Sequence, residues 1–172
     1  AERSNREGEV AGTLTVSYSH SGNSDAWPGG PYKNFLRVLV PKKGALIKAE
    51  RVSTGSDGDL TEDVTSRILV DEEGNKTSFG LLFDLKSGQK TQIVFRYILP
   101  PNVFSLKSTT YDLLVQKQPG PAGDPIRAKF ILPFGADVEE NLTQGFTRQG
   151  NAVIYEGVLR KDLEIKIPLS SK

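Results

Sequence analysis

Apolar side chains recur at every second position along most of the chain, a spacing that is typical of β-strands with one buried face. In the first run, Leu14, Val16 and Tyr18 alternate with small hydroxyl residues. Helical spacing is not sustained over three turns anywhere, and only short helices are expected, at Leu60–Ser66 and Val138–Thr143. The alternation returns at Leu36–Val40, Phe79–Leu85, Ile93–Leu99, Tyr111–Val115, Ile126–Leu132 and Leu163–Leu169.

Turn-forming residues separate these runs. Glycine and asparagine tolerate the positive φ that tight hairpin turns need, and they stand at Gly74-Asn75, Gly88 and Gly150-Asn151. Residues 67–99 are therefore predicted to form three consecutive antiparallel strands. About nine strands with short connections predict an all-β protein, an antiparallel β-sandwich of immunoglobulin-like or fibronectin-like type. A closed barrel is the alternative.

The segments between the runs define the expected domain organisation. Residues 1–10 are polar and are expected to form a flexible N-terminal segment, followed by one sandwich domain over residues 11–169. No internal repeat is apparent in the sequence. Long loops are expected at Ser21–Pro31, Ser53–Asp63 and Gln118–Pro125, and binding residues are commonly found on such loops.

Composition excludes several kinds of chemistry. The chain has 172 residues, no cysteine and one histidine, His20, which removes disulfides, thiolate metal sites and multi-histidine sites. Its 22 basic and 21 acidic residues give a net charge of +1, so the basic face that nucleic-acid binding needs is not expected. No cofactor is predicted.

The ends of the chain bear on its origin. The chain begins at Ala1 and contains no methionine, which predicts a fragment or a processed chain. No stretch of about 18 apolar residues is present, so no membrane insertion by these residues is expected. Any membrane anchor is therefore expected to lie outside them.

Three strings of the chain resemble the C-terminal part of DUF4012, a family of large bacterial proteins with a domain of unknown function. The strings are Tyr32–Pro41, the Gly80–Tyr97 segment with its continuation to Pro100, and Tyr111–Gly120, and the resemblance covers about residues 11–133. It implies a domain outside the bacterial cytoplasm, at the cell surface or envelope. Its implied partners are other domains of the same parent chain or envelope proteins.

Two aromatic residues form the leading candidate for ligand binding. Trp27 is the only tryptophan, and it lies in a loop five residues before Tyr32. Exposed aromatic rings can stack on a sugar or anchor a partner protein. The alternative is that Trp27 folds back to cap one end of the sandwich.

An acidic stretch is the candidate metal site. Asp57, Asp59, Glu62 and Asp63 offer four carboxylates within seven positions, and Ca²⁺ prefers such oxygen ligands. The flanking helices and the final glutamate of an EF-hand are missing, so a solvated acidic loop is the alternative.

These observations favour a non-catalytic structural or protein-interaction domain. A carbohydrate-binding module for a cell-wall or surface polysaccharide is the second hypothesis. An enzyme is the third, and it depends on His20 acting as a general base oriented by Asp25. Edge strands of an open sandwich are also able to accept a partner strand.

Overall fold

The computed structural model describes residues 10–22, 24, 29–55, 58–100, 110–117, 123–132, 136–138 and 145–171. These residues form thirteen β-strands and one short 3-10 helix, and every strand pairing is antiparallel. The prediction of an all-β protein with antiparallel sheets is confirmed. In this described part of the chain, no helix is both long and apolar enough to span a membrane.

The chain divides into two compact units, and the first comprises Glu2–Val103. Its strands form a four-stranded sheet in the order β1-β7-β3-β4 and a three-stranded sheet in the order β2-β6-β5. A 3-10 helix at Thr65–Arg67 follows β4. The strand bounds are β1 (Val10–Ser19), β2 (Tyr32–Pro41), β3 (Ala45–Gly55), β4 (Gly58–Asp63), β5 (Leu69–Glu73), β6 (Lys76–Leu85) and β7 (Lys90–Leu99).

One buried cluster joins the two sheets of this unit. Phe79 from β6 and Ile93 and Phe95 from β7 are fully buried in it, and the buried Val38 from β2 belongs to the same cluster. These residues occupy the inward positions of the period-two pattern, so the alternation identified the core of the first unit correctly.

The second unit comprises Phe104–Lys172 and has its own buried cluster, which includes Val153, Ile165 and Ile167. Its sheets have the orders β10-β13-β8 and β11-β12-β9. Whereas the sequence pattern predicted one domain over residues 11–169, the chain forms two units. The strand bounds are β8 (Thr110–Val115), β9 (Asp124–Ile131), β10 (Ala136–Val138), β11 (Phe146–Gln149), β12 (Ala152–Leu159) and β13 (Leu163–Ser171).

Both units repeat one strand order, although the sequence indicates no repeat. In each unit, the last strand (β7 or β13) lies between the first strand and the third. The last strand but one (β6 or β12) lies between the second strand of the unit and its own predecessor in the chain (β5 or β11). β4 is an addition to the first unit. This order differs from the immunoglobulin constant type, in which the first, second, fifth and fourth strands share a sheet.

Matching hairpin turns support the repeat. Gly74-Asn75 joins β5 to β6 and Gly150-Asn151 joins β11 to β12, with glycine φ values of 60° and 61°. In the first unit, Lys42 N–H donates to the carbonyl oxygen of Asn75 at 3.1 Å. The N–H of Leu132 makes the matching bond to Asn151 at 2.9 Å. Both turns were predicted from the sequence, and the structure shows that each closes a hairpin.

Several sequence-based expectations are wrong. β3 was not predicted, and the expected loop over Ser53–Asp63 is mostly the β3–β4 hairpin. The expected helix at Leu60–Ser66 is the end of β4 and the start of the 3-10 helix. Of the three consecutive strands predicted over residues 67–99, only β5 and β6 pair with each other, because β7 joins the other sheet.

Other expectations fall partly outside the described residues. Val138 ends a short strand rather than starting a helix, and residues 139–143 lie outside the described part. The loop expected at Gln118–Pro125 is described only from residue 123, and Asp124 already begins β9. Residues 1–9 of the expected N-terminal segment are likewise outside it, and Val10 begins β1.

Candidate binding surfaces

His20, which follows β1, binds main-chain groups through both ring nitrogens. The N–H of Gly22 donates to His20 Nδ1 at 3.1 Å, so Nε2 carries the ring proton and donates it to the carbonyl oxygen of Gly30 at 2.8 Å. The side chain therefore holds together the two ends of the β1–β2 connection. Asp25, its expected catalytic partner, lies outside the described residues.

The β1–β2 connection is also tied to the turn between β6 and β7. The N–H of His20 donates to Gln89 O at 3.0 Å, and the N–H of Gly88 donates to His20 O at 2.8 Å. Ser87 Oγ donates to the carbonyl oxygen of Ser24 at 2.8 Å. These bonds tie His20 and Ser24 to the turn between β6 and β7.

Of the two aromatic candidates for ligand binding, the structure describes Tyr32 but not Trp27. Tyr32 begins β2 opposite Leu85, and its side chain is 46% exposed. Trp27 lies outside the described residues, so the structure does not bring the two rings together or separate them. Of these two candidates, Tyr32 is the one that the structure shows to be accessible from solvent.

A hydroxyl-rich open depression of about 290 Å³ lies on the four-stranded sheet of the first unit. Tyr18 is the only aromatic residue in its lining. Asn34 on β2 binds this side chain, because its Nδ2 donates to the hydroxyl oxygen of Tyr18 at 3.1 Å. Burial raises the pKa of Tyr18. The depression offers hydroxyl groups but little aromatic surface; its lining is Ser17, Tyr18, Ser19, Thr54, Lys90, Thr91 and Gln92.

The acidic residues of β4 are divided between the two faces of the strand. Strand alternation places Asp59 and Asp63 on one face and Glu62 on the other. Glu62 pairs with Arg67 at 3.0 Å. The N–H of Thr65 donates to Asp63 Oδ1 at 2.9 Å, and hydrogen bonding by Thr65 lowers the pKa of Asp63.

These contacts bear on the predicted metal site. Asp57, its fourth member, lies outside the described residues. In the part of the chain that is described, no three acidic or histidine side chains form a cluster able to hold a metal ion. Glu62 and Asp63 instead bind the 3-10 helix that follows β4.

An ion network that the sequence did not reveal lies on the outer face of the four-stranded sheet. Glu50 on β3 accepts from Lys48 Nζ at 2.7 Å and pairs with Arg96 on β7 at 2.9 Å. The Glu50 side chain is only 15% exposed. The hydrogen bond from Lys48, assisted by the positive charge of Arg96, lowers the pKa of Glu50 although its desolvation acts in the opposite direction.

An apolar group of side chains, here called the outer patch, faces solvent on the β2-β6-β5 sheet. Phe35 lies opposite Leu82 and is 49% exposed, whereas Leu82 is 67% exposed. Leu69 on β5 lies opposite Gly80, and the ring of Phe35 covers the same glycine. The patch therefore consists of Phe35, Leu69 and Leu82, arranged around Gly80. Exposed apolar groups of this kind are typical of contact surfaces.

No protein-family profile matches the chain. A search of curated proteins also finds no relative.

Proposed function

We propose that this chain is a non-catalytic structural or protein-interaction module built of two β-sandwich units. The outer patch is the observation that carries the proposal, because it exposes apolar side chains on a regular sheet face. A sheet face holds these side chains in fixed positions, so docking of a partner costs little conformational entropy.

The location outside the bacterial cytoplasm is part of this proposal. It rests on the three strings that resemble the DUF4012 family. On this basis the partners are other domains of the same parent chain or proteins of the bacterial envelope. The module acts as a spacer that also presents a contact surface.

Retention on isolated bacterial envelopes tests the proposal. The Leu82→Asp variant places a charge in the outer patch, and its retention is expected to fall at least about tenfold relative to the wild type. Leu60→Asp is the matched control, because Leu60 is 72% exposed on a strand of the other sheet. Treating the envelopes with protease is expected to abolish retention of the wild type.

A carbohydrate-binding module remains the second candidate, favoured by the exposed ring of Tyr32 beside the loop that carries Trp27. The same experiment separates the two functions. Retention that survives protease treatment of the envelopes, is lost in Trp27→Ala and is unchanged in Leu82→Asp would support polysaccharide binding. Reproducible turnover of an ester, peptide or glycoside substrate would contradict both.

A further inference from the structure

β1 forms an edge that lacks the usual protection against pairing with another strand. It lies at one end of the β1-β7-β3-β4 sheet and pairs with β7 without a bulge, from Val10 opposite Leu99 to Ser19 opposite Lys90. Its ten residues include no charged residue and no proline. Edge strands commonly carry charges, prolines or bulges that prevent such pairing.

Every other edge strand in the described part of the chain is guarded. β8 corresponds to β1, because it is the first strand of the second unit and also lies at the edge of its sheet. Unlike β1, it carries a charged residue, Asp112. The remaining guards are Lys33 and Pro41 on β2, Asp59 on β4, Asp71 on β5, Asp124 and Pro125 on β9, Asp137 on β10 and Arg148 on β11.

No described strand pairs with the edge of β1 that faces away from β7, and this edge presents regularly spaced main-chain groups. His20 lies opposite Gln89 if the β1–β7 register is continued, and its N–H donates to that residue's carbonyl oxygen. In an antiparallel pair, alternate residues bond to the partner strand. The N–H and C=O groups of the odd-numbered residues therefore point away from β7. These residues are also the ones whose side chains are exposed: Ala11, Thr13, Thr15, Ser17 and Ser19.

We propose that this edge binds β1 of a second copy of the chain, antiparallel and centred on Thr15. In that register Thr15 lies opposite its own copy and Thr13 lies opposite Ser17, so hydroxyl side chains face each other. Such pairs stabilise antiparallel strands. The odd-numbered residues of both strands exchange about ten main-chain hydrogen bonds.

Charge favours a second copy as the occupant. The paired strands bring no like charges together, because β1 is uncharged and, among the described residues, the nearest charged ones, Lys90 and Arg96, lie one strand further in. Arg96 is already paired with Glu50. The symmetric pairing also closes on itself, so it yields a dimer rather than a filament.

The contact is small, and the dimer is therefore weak. One strand on each side buries less than the roughly 1,200 Å² of a standard stable interface. Association is thus expected to depend on concentration. The inference rests on β1 alone and does not depend on the outer patch, so the two can fail separately.

Sedimentation velocity between about 10 μM and about 1 mM, the range suited to a small interface, tests the inference. The wild type is expected to shift from monomer to dimer across this range. Thr15→Lys and Thr15→Glu each place like charges opposite each other and are expected to weaken the dimer at least about tenfold. An equimolar mixture of the two is expected to restore it as a heterodimer.

The matched control is Leu114→Lys, which adds the same charge to β8 and is expected to leave association unchanged. Circular dichroism of each variant verifies that the strands remain folded. A wild type that stays monomeric throughout, or dimers that survive in both Thr15 variants, would overturn the inference. If both Thr15 variants are folded and their mixture still forms no heterodimer, the register centred on Thr15 would be overturned.

Discussion

Gly12 on β1 leaves room for the aromatic ring of its cross-strand neighbour. The ring of Tyr97 lies across the glycine, so a β-carbon at position 12 would overlap it. Tyr97 also packs near Phe79, with 6.3 Å between the ring centroids. An aromatic ring that covers a glycine in a neighbouring strand is a recurrent way to shield it.

Replacing Gly12 with alanine is therefore expected to lower the free energy of unfolding by about 1–3 kcal/mol, because the ring must move out of its packed position. Urea unfolding of the variant measures the loss. In a Tyr97→Leu background the same substitution is expected to cost less. An equal cost in both backgrounds would show that the ring is not the cause.

At the scale of single residues, the sequence predicted which side chains are buried better than it predicted their polar contacts. The main-chain partners of His20, Gly22 and Gly30, carry no side-chain signature that would reveal them. The outer patch did leave a signal. Phe35 and Leu82 occupy outward positions of their strands. Phe35 lies next to the partly buried Leu36 and Leu82 next to the buried Leu81, so the consecutive apolar pairs marked an apolar outer face.

At the scale of elements, β3 shows why one strand escaped the pattern. Its pairing with β7 shifts register between Leu46 and Lys48. Because of this bulge, the inward positions change from Leu46 to Ala49, and the exposed Ile47 lies between them. A bulge inserts one residue and so breaks the period of two. The charged residues that follow then resemble a polar loop.

The segment after β4 secures this irregular strand. The N–H of Ala49, a fully buried residue, donates to Thr65 Oγ1 at 2.9 Å. Thr65→Val removes the acceptor while keeping the shape, and it is expected to lower the free energy of unfolding by about 1–3 kcal/mol. Thr65→Ser is the control and is expected to keep most of the stability in thermal unfolding. A loss in Thr65→Ser, which keeps the hydroxyl, as large as the loss in Thr65→Val would contradict this role of the hydroxyl.

Glu50 makes the stability of the four-stranded sheet dependent on pH. Its pKa in the folded protein lies below the ordinary value of 4.5, first because of the hydrogen bond from Lys48. A carboxyl group with a lowered pKa contributes stability that is present above its unfolded pKa and is lost as the pH falls through the folded pKa. The contribution of Glu50 is therefore complete well above pH 4.5, begins to decline near that value and is lost as the pH falls through the lower folded pKa.

Glu50→Gln is accordingly expected to lower the free energy of unfolding at pH 7 and to lose less stability than the wild type on acidification. Urea unfolding at several pH values between neutral and acidic conditions measures how the free energy of unfolding of each protein changes with pH. Parallel curves for the two proteins would contradict a role for the Glu50 carboxylate. Asp63 lies opposite Glu50 and its pKa is also lowered, so it gives both proteins a pH dependence of their own at acidic pH.

At the scale of the whole molecule, the alternation predicted the strands but not their grouping. Val16 and Leu113 both read as inward-facing strand residues, yet they belong to different units. Which strands share a core depends on long-range pairing, for which a single chain carries little local signal. The same reason explains why Ser87 and Gly88 were interpreted as a hairpin, although they connect two sheets.

The separate buried clusters predict that a core truncation in one unit acts mainly there. Ile165 is 1% exposed in the second unit, and Ile165→Ala is expected to cost about 2–5 kcal/mol. Hydrogen exchange followed by mass spectrometry is expected to show faster exchange in β12 and β13, and little change in β6 and β7. Equal acceleration throughout would show that the two units unfold together.

The position of each unit's last strand has a consequence for synthesis on the ribosome. β7 separates β1 from β3, and β13 separates β8 from β10, so neither sheet is complete until its final strand has emerged. Until then the nascent chain exposes inward-facing leucines and valines to the cytosol or to the export machinery. Such delayed long-range closure makes folding slow. Such a chain is expected to need chaperones for longer than a chain in which each strand pairs with the preceding strand as soon as it is synthesised.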